Sequence, residues 1–97
     1  MIVQRRIWAV KPRCLEEAEA LTMALLERFP HPHARRVYVP KIAPHDTLAL
    51  EIEFQNLEEL EAYWAALPAS PGFPEFLEKW FDLRDRGGTN EIWTLVE

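Results

Sequence analysis

A chain of 97 residues with 48% hydrophobic and 28% charged side chains has the composition of one folded domain, residues 1–97, and is neither a disordered tail nor a membrane-spanning bundle. Its net charge of -5 argues against a nucleic-acid partner, whose phosphates need a concentrated positive field. Cys14 is the only cysteine, so no intrachain disulfide forms and a cytoplasmic setting is expected.

Ile2 to Val10 mixes β-branched, aromatic and long polar residues and reads as a half-buried strand, not as a leader. Pro12 interrupts the chain before a helix begins near Cys14. Leu15, Ala18, Leu21 or Thr22, Leu25, Leu26 and Phe29 form its apolar stripe, opposite Glu16, Glu19 and Glu27. Pro30 and Pro32 stop it. A second strand is expected over Arg35 to Ile42, with Pro40 assigning it to an edge or a bulge, and Ala43-Pro44-His45-Asp46 as the turn. Thr47 to Phe54 alternates cleanly: Leu48, Leu50, Ile52 and Phe54 share one side, Ala49, Glu51 and Glu53 the other.

Asn56 and Glu59 have capping-box spacing at the head of the next helix, which carries Leu57, Leu60, Tyr63 or Trp64, and Leu67. Leu67-Pro68-Ala69-Ser70-Pro71-Gly72 breaks that helix in two. A second piece resumes around Pro74 with Phe73, Phe76, Leu77, Trp80, Phe81 and Leu83, and Gly87 suits its left-handed cap. Glu91 to Val96 supplies the closing strand. The order β-α-β-β-α-β predicts an α+β, ferredoxin-like domain with a four-stranded antiparallel sheet and helices on one face.

That order, with Leu50-Glu51-Ile52-Glu53-Phe54 leading into the Tyr63-Trp64 helix, then a proline-rich break, the Phe76 to Leu83 helix and Asn90-Glu91-Ile92-Trp93, resembles the dimeric α/β-barrel superfamily. The likeness is to its NIPSNAP-like and antibiotic-biosynthesis-monooxygenase-like members. It implies a homodimer joined through the open sheet face, with a ligand cleft between sheet and helices. The Leu48–Phe54 row would then meet the helices, and Glu51 and Glu53 would turn toward the twin. A domain this small buries only roughly two-thirds of its unfolded surface, which also favours a second copy.

The polar and aromatic residues of the strands are the candidates for chemistry. Arg5, Arg6, Arg35, Arg36, Glu51 and Glu53 offer cross-strand pairs that either orient a polar ligand or simply join two subunits. Trp8, Tyr38, Trp64, Trp80 and Trp93 supply aromatic surface for a planar ligand, although Phe76 and Trp80 fall in a stripe needed for the core. The ligand-binding candidates are Arg6, Trp8, Arg36, Tyr38, His45, Glu51, Glu53 and Trp64. His31 and His33 have a spacing used by some metal sites, but no third ligand stands near, so no metal or other cofactor is expected. Cys14 at a helix start lacks a histidine partner and reads as packing.

Four functions compete. The leading one is a small homodimer that binds an apolar or aromatic metabolite in the sheet–helix cleft. The alternative is a cofactor-independent monooxygenase on a phenolic substrate, with Trp64, Tyr38, Arg36 and His45 as participants. Haem binding through His31, His33 or His45, and a purely structural dimerisation domain, complete the set.

Overall fold

The computed structural model describes residues 1–96. Its elements are β1 (Ile2–Val10), α1 (Leu15–Arg28), β2 (Arg35–Tyr38), β3 (Thr47–Phe54), α2 (Leu57–Ala66), a single 3₁₀ turn (Leu67–Ala69), α3 (Phe73–Leu83) and β4 (Arg84–Thr94). All strand pairs are antiparallel, in the order β2-β3-β1-β4. This is the β-α-β-β-α-β arrangement expected from the hydrophobic periods.

Local chemistry sets most of the boundaries. The Asn56 side chain accepts from the Glu59 amide at 2.9 Å, while Glu59 accepts from the Gln55 amide at 2.9 Å. Two otherwise unpaired donors at the head of α2 are thereby satisfied, and the amide of Gln55 holds the Glu59 carboxyl below its ordinary range. At the tail of α1, Arg35 donates to the carbonyls of Phe29 and Leu26 and to the Tyr63 hydroxyl. A cation there complements the negative end of the helix.

The helices lie on one side of the sheet. Leu48, Leu50, Ile52 and Phe54 of β3 are almost wholly buried against them. Leu48 joins Val10, Ala18, Leu25, Leu67, Phe76, Trp80 and Leu83 in one apolar cluster, and the other three pack with Tyr63 in a second. Trp8 and Trp64 border both clusters, at the seam between them.

Two expectations need correction. The second strand ends at Tyr38, not Ile42, because residues 39–46 bend away around Pro40 and Pro44, which lack ladder donors. Asp46 closes this connection with a left-handed φ of 56°. Nor does Gly87 cap a helix. α3 stops at Leu83 and β4 starts on the next residue, Arg84, seven residues earlier than the expected Glu91. Between the pairs Trp8↔Gly88 and Val10↔Arg84, the stretch Asp85-Arg86-Gly87 faces Ala9 alone. The glycines therefore serve a bulge, where an extra length of chain must be absorbed.

Candidate functional site

The register of β1 on β3 places Gln4, Arg6, Trp8 and Val10 on the helix side, opposite Ile52, Leu50 and Leu48. Beneath the helices at this point lies a cavity of about 250 Å³. Trp8, Tyr63, Trp64, Phe73, Phe76 and Trp80 supply its aromatic walls. The Trp8 and Trp80 rings meet edge to face at 5.4 Å, and Phe76 stacks on Trp80 at 5.7 Å. Such contacts hold the rings in fixed orientations.

Arg6 is the polar feature of this cleft. Its guanidinium carbon lies 4.8 Å from the Trp8 ring centre and 5.3 Å from that of Trp64. Its Nε is buried without a hydrogen-bond partner, as is the hydroxyl of Thr22, which also lines the cavity. Burial, with a smaller contribution from the charge of Arg84, lowers the Arg6 pKa, yet a guanidinium stays charged at neutral pH. Cation–π contact with the indoles offsets part of the burial cost, on the order of 0.5–2 kcal/mol. Trp64 is itself held in place. Its indole N–H donates to Gln4 Oε1 at 2.6 Å, and Gln4 Nε2 donates to Asn90 Oδ1 at 2.9 Å.

The opposite sheet face carries an ion-paired cluster. Arg5 donates to Glu51 at 2.6 Å through Nη2 and 2.8 Å through Nε, and the Tyr38 hydroxyl donates to the other Glu51 oxygen at 3.0 Å. Arg36 lies 2.7 Å from Glu53 and 3.6 Å from Glu51. Burial pushes the Glu51 carboxyl upward. The hydrogen bonds from Arg5 and Tyr38 and the charges of Arg5 and Arg36 outweigh it, leaving the pKa below its ordinary range. Arg5 and Arg36 thus meet Glu51 and Glu53, and Glu91, opposite Arg5 on β4, adds a third carboxylate to the same face.

The eight ligand-binding candidates therefore divide. Arg6, Trp8 and Trp64 line the cleft, whereas Arg36, Tyr38, Glu51 and Glu53 sit on the open sheet face. His45 is exposed in the 39–46 connection and joins neither group. None of the three histidines lines the cleft, so a haem seated there would lack an axial imidazole from the described residues. His31 bonds the Glu53 carbonyl at 2.7 Å and packs at 5.0 Å on Phe54 and Tyr63, and His33 lies 3.2 Å from Glu59. Cys14 is half-buried against the first apolar cluster. Sequence reasoning missed Gln4, Thr22, Asn90 and Arg84. The alternation Gln4-Arg6-Trp8 was the available signal for Gln4, whereas Arg84 was hidden by the helix extension toward Gly87.

No protein-family model matches the sequence, and no curated protein matches it. Solved structures do. A NIPSNAP-like domain protein from Burkholderia xenovorans superposes with a TM-score of 0.83 at 22% identity, covering 98% of this chain and 84% of its own. A NIPSNAP family protein from Agrobacterium tumefaciens gives 0.83 at 16% identity, covering 99% of this chain and 86% of its own. An antibiotic biosynthesis monooxygenase gives 0.73 at 17% identity, with both chains fully covered. The chain has the fold of the NIPSNAP and antibiotic-biosynthesis-monooxygenase-like proteins, as its element order implied. At these identities the likeness is one of architecture, which many functions share.

Proposed function

We propose that this chain is a homodimeric binding protein whose cleft accepts a small aromatic or apolar molecule. The observation that carries the reading is the 250 Å³ cavity walled by Trp8, Trp64, Trp80, Phe73 and Phe76. An apolar concavity with few, convergent polar groups is the usual form of a small-molecule site. Its volume lies below the range common for drug-sized ligands, which favours a body of one or two rings. A thermal-shift and calorimetric screen of aromatic and fatty metabolites tests it. At least one compound should stabilise the protein, and Trp64→Ala should weaken its binding. A flat response across the panel overturns the reading.

The dimer is supported by the sheet face that the helices leave uncovered. Tyr38 and Trp93 remain 45% and 56% exposed there, around the ion-paired Arg5, Arg36, Glu51 and Glu53 cluster. The intra-sheet ion pairs offset most of the charge that a second copy would meet, and the aromatic area gives it something to cover. Sedimentation equilibrium should give twice the monomer mass, and a single-subunit particle would refute this part. The lone Cys14 and the lack, among the described residues, of any helix long and apolar enough to cross a membrane fit a cytoplasmic dimer.

A second reading, oxygenation of a phenol, takes support from the monooxygenase likeness and from Trp64 in the cleft. Tyr38, Arg36 and His45 line no part of the cleft, so the only sequence-nominated participant left in it is Trp64. Binding without turnover is therefore the preferred reading. Oxygen uptake with substituted quinols and anthrones discriminates the two.

A further inference from the structure

Sixteen aspartates and glutamates give this chain its net charge of -5, yet none of the described ones lines the cleft. The charged residues that do are Arg6 and Arg84. Both belong to the helix side of the sheet, since Arg84 pairs with Val10 and Arg6 precedes Val10 by four residues. The ion pairs formed among the described residues engage Arg5, Arg36 and His33, but not Arg6. A half-buried guanidinium without a counter-ion, its Nε shut off from any partner, carries a desolvation cost that ring faces offset only in part. A ligand anion would complete the set.

Resting on the cleft reading above, we infer that the ligand is a small arylcarboxylate, its carboxylate seated on the Arg6 guanidinium and its ring between the tryptophan walls. Guanidinium and carboxylate are matched in shape and charge. A single half-buried arginine suits a singly charged group, with Arg84 at the exposed start of β4 adding longer-range attraction. The unpaired Thr22 hydroxyl offers one further donor within the same cavity. A doubly charged phosphoester would need more donors than this cleft presents.

Isothermal titration at neutral pH with 2-naphthoate and its neutral isostere 2-naphthamide tests the inference. Naphthoate should bind about tenfold more tightly or better, the usual value of a charge-assisted hydrogen bond. Arg6→Met should bring the two ligands to within about twofold of each other while naphthamide binding persists. Arg84→Gln should reduce naphthoate affinity by about two- to threefold and leave naphthamide unchanged. Equal binding of acid and amide to the wild type overturns the inference and leaves the cleft reading intact. A preference for naphthoate that survives in a folded Arg6→Met also overturns it. If neither compound binds or shifts the melting temperature, the inference falls, and the cleft reading is then decided separately by the wider metabolite panel. Should Arg6→Met fail to fold, the wild-type ratio and Arg84→Gln decide.

Discussion

Arg5 and Arg6, neighbours in β1, send their guanidinium groups to opposite sides of the sheet and to opposite fates. Arg5 closes on Glu51 at 2.6 Å in a face open to a partner, whereas Arg6 lies 4.8 Å over the Trp8 ring in a cleft without acids among the described residues. The same functional group is thus neutralised in one place and kept available in the other. The period of two along a strand is the whole cause.

The first prediction concerns acid. A carboxyl whose folded pKa is depressed contributes stability that is fully present above its unfolded value, about 4.3 for glutamate. That contribution is lost as pH falls through the lower folded value. Glu51 is such a group. Melting temperature should therefore fall as pH drops from about 4.5 toward 3, and Glu51→Gln should flatten that limb. At neutral pH the substitution should destabilise by about 1 kcal/mol, a modest figure because the Arg5 side chain is 46% exposed and its pairing is screened. Parallel pH profiles for wild type and variant would refute this assignment.

The β4 bulge makes the second prediction. Gly88 has φ of 111°, and a Cβ there would sit 2.2 Å from the Ile7 carbonyl oxygen. Its neighbour Gly87, at φ 101°, has nothing within 4 Å of the same position. Gly88→Ala should cost on the order of 2–4 kcal/mol, combining strain with a backbone collision. Gly87→Ala should cost about 1 kcal/mol from conformation alone. Urea unfolding of the two variants measures the gap, and equal losses would mean that the strand yields around the added methyl.

The third prediction tests the Trp64–Gln4–Asn90 chain. Trp64→Phe preserves most of the aromatic surface but removes the donor to Gln4, a residue only 4% exposed. The stranded acceptor should cost about 1–2 kcal/mol. Adding Gln4→Met removes the stranded group and should recover part of that loss, because its other partner, Asn90, is exposed to water. Additive losses in a double-mutant cycle would show the bond to be energetically idle.

The element types were open to reading because helix and strand periods are local. Thr47 to Phe54 alternates without a fault, and the observed β3 has the same limits. Asn56 and Glu59 announced a helix start through a capping pair four residues wide, and both bonds are present. The errors fell where local signals mislead. Gly87 looks like a helix cap in the chain, but the strand partner Ala9 makes it part of a bulge.

What the chain determined alone is the succession of elements and the inward row Leu48, Leu50, Ile52 and Phe54, since a run of side chains two apart must share a face. Which of Arg5 and Arg6 would meet a carboxylate, and which an indole, was decided only in three dimensions. Glu51 is 46 positions from Arg5, and Trp64 is 60 from Gln4. Pairings over such separations arise from strand register and helix packing, and these are settled by the burial of the whole core, not by any short stretch of sequence.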